Sequence, residues 1–125
     1  KKFFRISTAA TLTSYYNLPI GKVLDLHTDD LLALADEFIA VATAMGISFP
    51  PNSRDEIIEG QRKMPYNSTT SMHSDFLKGA QTELESITGY IVQCAKDLNI
   101  EVPCYLKMYN ELKTNYTNIY NNPNN

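Results

Sequence analysis

The first stretch of the chain repeats its hydrophobic side chains at helical spacing. The apolar positions within residues 2–16 are Phe3, Phe4, Ile6, Ala9, Ala10, Leu12, Tyr15 and Tyr16. This broad stripe, close to the 3.6-residue period, predicts an amphipathic helix. Asn17 and Pro19 are expected to end the helix, and Gly21 is expected in the turn that follows.

A second apolar pattern follows in HTDDLLALADEFIAVATAMG, residues 27–46. Thr28 is a favourable N-cap, and Asp29 and Asp30 suit the positive end of a helix dipole. Gly46 can supply the left-handed residue that ends a helix. The positions expected to face the core are Leu31, Leu34, Ala35, Phe38, Ala42 and Met45. The pattern therefore predicts a core helix.

Four further helices are predicted downstream. A capping box, Ser53-x-x-Glu56, opens a short helix. Another short helix follows Ser71, a longer one spans about 82–98, and the last begins at Pro103, a favoured first-turn residue. No segment alternates with the period of two of a half-buried strand. We therefore predict an all-α fold, with helices of unequal length around one core and no sheet.

Composition and charge exclude several classes of partner. The 125 residues suffice for one domain, and a formal net charge of −3 argues against a nucleic-acid partner. No apolar run approaches the roughly 18 residues that span a bilayer, so no membrane partner is expected. Cys94 and Cys104 lack a C-x-x-C spacing and are expected to be reduced core thiols of a cytoplasmic protein. The tail NNPNN, residues 121–125, is expected to be disordered.

Motifs that bind metals or phosphates are absent from the sequence. His27 and His73 lie far apart, and neither has a ligand at the i+4 position or a nearby cysteine, so no metal site is predicted. There is no glycine-rich phosphate loop and no G-x-S-x-G elbow. The sequence starts at Lys1 inside a helical pattern and without methionine. We expect a fragment of a longer chain, with a processed product as the alternative.

Three polar residues remain as candidates for chemistry: Lys2, Ser71 and Glu83. Each also has a structural interpretation, which spacing alone favours. Ser71 can cap a helix, Glu83 can be a first-turn acid, and Lys2 can be a solvated cation. The connection between Ser71 and Glu83 is broken at Gly79. Because both residues lie at helix N-termini, the connection could still direct a hydroxyl and a carboxylate into one cleft.

The order of residues from Thr70 to about Lys113 resembles the C-terminal domain of ketopantoate reductases (2-dehydropantoate 2-reductases). The shared features are Ser71-Met72, Asp75, Thr82-Glu83, Ile87-x-Gly89, Val102-Pro103 and the segment Leu106–Leu112. The opening segment is similar to the family's first C-domain helix, with Lys2, a stretch rich in small residues and the Pro19-x-Gly21 turn. The resemblance covers nearly the whole chain, and it implies that Gly89 allows close helix packing.

The resemblance implies a helical domain of the 6-phosphogluconate dehydrogenase C-terminal-like type over residues 1–120. That domain normally follows an NADP-binding Rossmann domain, which this chain lacks. Lys2 would be the general acid that protonates the carbonyl oxygen of a small 2-oxo acid. Glu83 would act together with the lysine and contact the cofactor. Ser71 and Ser68 would bind the substrate. The partners implied are the chain's own Rossmann domain and, in a homodimer, a second copy.

Three positions depart from the family pattern. Where the family has asparagines that contact the substrate, this chain has Ile6, Ala10 and Ile20, which leaves room for a bulkier or more apolar 2-oxo acid. The functions that remain open are an NADPH-dependent reductase of ketopantoate, a reductase of another 2-oxo acid, and a non-catalytic helical binding or dimerisation module. The fragment alone is expected to fold, to be inactive, and to self-associate through Ile6 and either Phe3 or Phe4.

Overall fold

The computed structural model describes residues 2–114, and this part of the chain contains helices and no strand. The elements are α1 (Lys2–Tyr16), α2 (Ile20–Ala44), α3 (Ser53–Arg62), α4 (Ser71–Lys78), a π-helical segment (Glu85–Gly89), α5 (Tyr90–Asp97) and α6 (Pro103–Thr114). The predicted all-α class is confirmed. The disordered tail predicted for residues 121–125 lies outside the described residues.

α1 is the central helix of the fold. Residues 7–14 of α1 are all buried, and α1 packs against α2, α3, α4, α6 and the π-helical segment. A stretch of eight consecutive buried residues requires neighbours on every side of the helix, because successive side chains point in directions about 100° apart. The sequence pattern predicted one apolar stripe on α1, whereas the structure surrounds this part of the helix.

Two apolar clusters hold the helices together. The larger cluster packs α1 and α2 against α3, α5 and α6, and its fully buried members include Leu12, Leu31, Leu34 and Tyr105. The smaller cluster joins α1 to α4, α6 and the π-helical segment, and consists of Ala10, Met72, Leu84, Ile87 and Leu112. Fully burying one leucine-sized side chain contributes about 1.5–3 kcal/mol. These clusters therefore supply most of the drive to fold.

Buried hydroxyl groups on α1 add hydrogen bonds to three neighbouring elements. The bonds join Ser7 Oγ to the main-chain oxygen of Ile87 (3.2 Å) and to Tyr105 Oη (3.0 Å), Thr11 Oγ1 to Thr88 Oγ1 (2.7 Å), and Thr13 Oγ1 to Thr70 Oγ1 (2.9 Å). Buried polar groups need such partners, because an unpaired one costs about 1–3 kcal/mol. The bonds thus fix where α1 lies along its neighbours.

α2 begins earlier than predicted. It starts at Ile20, so Gly21 lies in its first turn and not in a preceding loop. Helical geometry breaks at His27 (φ −135°, ψ 33°), next to the predicted start. Thr28 is not the N-cap, because Pro19 occupies that position and the Thr28 hydroxyl donates to the main-chain oxygen of Leu24. The earlier start is stabilised by main-chain carbonyls of the loop before α4, a contact between distant parts of the chain that local propensity does not encode.

Helix ends agree with the predictions at two positions and differ at two others. Gly46 follows α2 with φ +91°, and Pro103 is the first residue of α6, as predicted. The capping box at Ser53 is wrong: Ser53 is buried as the first residue of α3, and Asn52 occupies the N-cap position without a side-chain cap bond. The helix after residue 82 also differs, because its first turns take the π form.

Candidate functional site

Lys2 and Ile6 are exposed on one face of α1, one helical turn apart. The Ile6 side chain is 40% exposed. The other two positions that depart from the family pattern are interior, because Ala10 is 1% and Ile20 is 3% exposed. Of the three departures, only Ile6 presents an apolar side chain at the surface of this domain. Phe4, predicted as a possible contact for self-association, is buried.

The same face of α1 leads from Lys2 towards Ser71. Thr13 lies eleven residues beyond Lys2, which is a rise of about 16 Å along the helix. Eleven residues make close to three whole turns, so the two side chains point in nearly the same direction. The hydroxyl of Thr13 is 2.9 Å from that of Thr70, the residue before Ser71. Ile6 therefore lies on the face that joins the ammonium group of Lys2 to the N-terminus of α4.

Ser71 is the first residue of α4, and its side chain is exposed. The structural interpretation of Ser71 as the N-cap is wrong, because Thr70 occupies that position and its hydroxyl accepts a hydrogen bond from the main-chain nitrogen of His73 at 3.2 Å. Since Thr70 provides the cap, the hydroxyl of Ser71 is not needed to hold the helix end.

Glu83 is an exposed residue just before the π-helical segment. Its main-chain oxygen accepts hydrogen bonds from Ile87 N at 3.0 Å and from Ser86 Oγ at 3.2 Å. Thr82 Oγ1 accepts from Leu84 N at 3.3 Å. The main chain around Glu83 is thus fixed, although Glu83 itself precedes the helix and is not the first-turn acid of the structural interpretation. π-Helical turns are rare in proteins, and those that occur are frequently found at functional sites.

The four predicted site residues lie on different parts of the fold, with Lys2 on α1 itself and Ser68, Ser71 and Glu83 on neighbouring segments. Within residues 2–114, no hydrogen bond or ion pair links Lys2, Ser71 and Glu83 to one another, and all three side chains are exposed. Ser71 and Glu83 directly precede Met72 and Leu84, two members of the smaller apolar cluster. The fold therefore places Ser71 and Glu83 at the edge of that cluster, while Lys2 lies at the exposed start of α1.

Ser68 belongs to the loop that covers the start of α2. Its hydroxyl donates to the main-chain oxygen of Pro65 at 2.6 Å. Its own main-chain oxygen accepts from Ile20 N at 2.9 Å, and that of Tyr66 accepts from Gly21 N at 2.9 Å. These bonds satisfy the first two N–H groups of α2, which have no partner inside the helix. Ser68 is thereby tied to the Pro19-x-Gly21 segment.

Gly21 is required by the close approach of Tyr66. A Cβ atom on Gly21 would lie 2.2 Å from Cδ2 of the Tyr66 ring. The ring is held there by its hydroxyl, which donates to Asp25 Oδ2 at 2.6 Å. The sequence predicted that Gly21 lies in a turn before the helix. In the structure Gly21 lies in the first turn of α2, and its missing side chain leaves room for the ring of Tyr66 from the loop that carries Ser68.

A buried polar group beside this loop was missed from the sequence. His73 is 4% exposed, and its ring contacts Asn17 at the end of α1 and Thr69 in the loop. Burial lowers the pKa of His73. Sequence reasoning considered this histidine only as a metal ligand. The available signal was its position between Met72 and Phe76 in an amphipathic helix, where it points inward.

The described residues give no sign of other kinds of site. Residues 2–114 contain no group of three or more histidine, cysteine or acidic side chains placed to hold a metal ion. No helix in the same range is long and apolar enough to cross a membrane. Cys94 and Cys104 are both free and half-buried.

Solved structures share this fold. A structure described as dimeric ketopantoate reductase from Staphylococcus aureus superposes with a TM-score of 0.85 at 22% identity, over 94% of this chain and 42% of that one. The 2-dehydropantoate 2-reductase of Porphyromonas gingivalis W83 gives a TM-score of 0.71 at 32% identity, over 90% of this chain and 32% of that one. The fold of the described residues is therefore shared with part of each of these two chains.

Sequence comparison gives the family. The family model described as ketopantoate reductase PanE/ApbA C terminal matches residues 1–116. An uncharacterized oxidoreductase, YkpB, of Bacillus subtilis (strain 168) is 26% identical over 115 residues, 90% of this chain and 38% of that protein. The 2-dehydropantoate 2-reductase of Pyrococcus abyssi (strain GE5 / Orsay) is 33% identical over 107 residues, 76% of this chain and 35% of that protein. The chain belongs to the ketopantoate reductase family and corresponds to its C-terminal domain.

Proposed function

We propose that this chain is the C-terminal domain of an NADPH-dependent 2-dehydropantoate 2-reductase, which converts ketopantoate to pantoate for pantothenate and coenzyme A synthesis in the cytoplasm. The match to the family model over residues 1–116 is the observation that carries the proposal. The chain spans only 38% and 35% of the two curated relatives. We therefore propose that residues 1–120 follow a Rossmann domain in the complete protein and are inactive without it.

Lys2 is proposed as the general acid. Its side chain is exposed at the start of α1, where a substrate held between this domain and another could reach it. Donating a proton to the carbonyl oxygen as the carbonyl is reduced typically contributes about 10²–10⁴-fold in rate. The carboxylate of Glu83, which is also exposed, is proposed to act together with the lysine on the bound 2-oxo acid.

The two serines are proposed to bind the substrate. A 2-oxo acid carries a carboxylate and a carbonyl oxygen, and a serine hydroxyl can donate to either. The hydroxyl of Ser68 donates to Pro65 O in this structure and would have to rotate towards the substrate. Ser71 stands at the N-terminus of α4, where the helix dipole also favours a negative group. Ser68 is three residues earlier, on the loop tied to Ile20. The two hydroxyls are thus supported by main chain that is fixed at several points.

Most of the cofactor would be bound outside these residues. Residues 2–114 contain no strand followed by a glycine-rich turn, which is the usual binding element for a dinucleotide pyrophosphate. Glu83 fits a smaller role, because a carboxylate accepts hydrogen bonds such as those from ribose hydroxyls. When bound, NADPH supplies the hydride that reduces the carbonyl carbon.

The test is NADPH oxidation by the full-length protein that carries this domain, with ketopantoate as substrate. We expect turnover in the wild type and a loss of about 10²–10⁴-fold in kcat for Lys2→Ala. Lys96→Ala is the matched control, since Lys96 is an exposed lysine on α5. Equal losses in both variants would remove the proposed role of Lys2. Absence of turnover with any 2-oxo acid would leave the non-catalytic binding or dimerisation module as the better function.

The exposure of Ile6 favours a second candidate, a reductase of a more apolar 2-oxo acid. An isoleucine next to the general acid cannot hydrogen-bond the hydroxyl group of ketopantoate. We expect the wild type to accept the 2-oxo acids of valine and leucine, and Ile6→Asn to raise the preference for ketopantoate by roughly fivefold, the value of one hydrogen bond. An unchanged ratio of kcat/KM values would show that Ile6 does not determine the choice of substrate and would remove the support for this second candidate.

A homodimer is also part of the proposal. The S. aureus relative is described as dimeric, and the described surface carries exposed apolar side chains, among them Ile6 (40%) and Leu106 (45%). Sedimentation of the full-length protein over a range of concentrations would reveal a dimer, and a monomer at all concentrations would exclude one.

A further inference from the structure

His73 connects the end of α1 to the loop that carries Ser68. Its Nε2 lies 2.7 Å from Oδ1 of Asn17, and its Nδ1 is hydrogen-bonded to Oγ1 of Thr69. Asn17 is the residue after α1 and adopts a left-handed conformation (φ +56°). The imidazole therefore joins a turn, a loop and a helix at a position that is 4% exposed.

The chemistry of the two partners defines the protonation of the ring. Oδ1 of Asn17 is an acceptor, so Nε2 carries the hydrogen. In the neutral ring Nδ1 is then the acceptor, and the hydroxyl of Thr69 donates to it. Burial lowers the pKa of His73 and so favours this neutral form. At this position the neutral ring thus acts as a donor to Asn17 and as an acceptor from Thr69.

The loop is held at three consecutive residues. The main-chain oxygen of Ser68 accepts from Ile20 N at 2.9 Å. The Thr69 side chain bonds the His73 ring. The Thr70 hydroxyl is 2.9 Å from Thr13 Oγ1 and accepts from the main-chain nitrogen of His73 at 3.2 Å. The bond from Thr69 is the middle one. Ser68, the first anchored residue, and Ser71, which follows the last, are the two proposed substrate-binding serines.

We propose that His73 is a positioning residue that, through Thr69, fixes the segment 68–71 for binding the 2-oxo acid. This inference rests on the proposed function, because it assumes that Ser68 and Ser71 contact the substrate. His73 does not itself contact the substrate, and its side chain is directed into the domain. Loss of its bond to Thr69 frees the loop while leaving Lys2 and Glu83 where they are, so binding weakens and the chemical step is unaffected.

The experiment measures KM and kcat of the full-length protein with its preferred 2-oxo acid. Asparagine places an acceptor near the position of Nδ1, whereas leucine has no polar atom. We expect His73→Leu to raise KM by roughly 5- to 30-fold, the value of one or two hydrogen bonds, with kcat changed less than twofold. His73→Asn should recover most of the lost affinity, because it restores the partner of Thr69.

Thr69→Ala is the second variant, and it does not depend on replacing a buried ring, since Thr69 is exposed. It should raise KM by roughly fivefold with kcat retained. A purely structural role predicts the opposite pattern in both variants: fewer active molecules, hence a lower kcat at unchanged KM, and this result would overturn the inference. Wild-type protein that turns over no 2-oxo acid would overturn the proposed function together with it. A wild type that is active and variants with unchanged KM would overturn the positioning role alone.

Discussion

The ring of Tyr109 lies directly against the main chain of Gly89. A Cβ atom on Gly89 would be 2.9 Å from Cε1 of Tyr109, which is inside van der Waals contact. The Tyr109 hydroxyl donates to Oε1 of Glu85 at 2.6 Å and so holds the ring in this place. Close helix packing at Gly89, which the sequence resemblance implied, is confirmed, and the packing partner is α6.

The contact predicts that Gly89→Ala destabilises the domain. The added methyl group must displace the Tyr109 ring or widen the π-helical segment, and overpacking of this kind costs about 1–3 kcal/mol. Gly60→Ala in α3 is the matched control, because the nearest atom to its Cβ would be Cδ of the exposed Arg5 at 3.3 Å. Alanine is favoured over glycine in a helix by about 1 kcal/mol, so Gly60→Ala should be neutral or stabilising. Urea unfolding of the two variants measures the difference, and equal stabilities would contradict the prediction.

Glu37 of α2 caps the start of α6. Its two carboxylate oxygens accept from the main-chain nitrogens of Cys104 and Tyr105, each at 2.9 Å. Glu37→Ala should lower the free energy of unfolding by about 2 kcal/mol, because two N–H groups and a favourable charge at the helix N-terminus are lost together. Glu37→Gln keeps an acceptor and should cost about half as much. Glu59→Ala, which removes only a surface ion pair with Arg62, should change stability by less than about 1 kcal/mol. A glutamine variant as unstable as the alanine variant would contradict this order.

The buried histidine predicts a dependence of stability on pH. Burial lowers the pKa of His73 below its ordinary value of 6.5, so between these two values the unfolded chain binds a proton that the folded chain does not. The free energy of unfolding therefore rises with pH in this window. The contribution is complete above pH 6.5 and is lost as the pH falls through the folded-state pKa. Urea unfolding of wild type and His73→Gln across this range should show a steeper acid loss in the wild type. Parallel curves for the wild type and the variant would show that a group other than His73 causes the loss of stability in acid.

The close contact between Gly21 and Tyr66 predicts that mutations at these two positions have strongly coupled effects on the free energy of unfolding. Gly21→Ala places a Cβ within 2.2 Å of the Tyr66 ring, so it must displace the loop that supplies carbonyl groups to the start of α2. Once Tyr66 is truncated to alanine, the space is free and the Gly21→Ala change should cost much less. Neighbouring residues in double-mutant cycles typically show coupling of about 0.5–3 kcal/mol, and we expect the upper half of that range. Additive effects would show that the loop moves away at no cost.

The sequence predicted well what depends on local pattern. The apolar period over residues 2–16 gave α1 (Lys2–Tyr16), and Gly46 and Pro103 marked a helix end and a helix start that the structure has. These signals work because conformational restrictions on glycine and proline act within a few residues. The family suggested by the order of residues from Thr70 to about Lys113, together with the opening segment, is confirmed by the match over residues 1–116.

Features that depend on distant contacts could not be predicted. α2 starts at Ile20 because Ser68 and Tyr66, more than forty residues later in the chain, provide acceptors for its first N–H groups. The hydrogen bond between His73 and Asn17 likewise joins residues that lie far apart in the chain. The roles of Lys2, Ser68, Ser71 and Glu83 stay predictions, because they concern a ligand and a second domain. Ala10 and Ile20 are buried, so Ile6 is the one of the three departures from the family pattern that lies at the surface of the described residues.

The hydroxyl groups on α1 have a further consequence. Close packing around α1 already resists sliding, and the hydrogen bonds add a restraint that depends on the direction and distance of each pair of atoms. Moving α1 along its axis by a single residue would separate Thr11 from Thr88, Ser7 from Tyr105 and Thr13 from Thr70 at the same time. Each buried hydroxyl would then have to find another partner or remain unpaired. The hydrogen bonds therefore favour a single position of α1 along its axis. Because that position is fixed in the interior, the same bonds also fix how far the Lys2 end of the helix extends beyond the core.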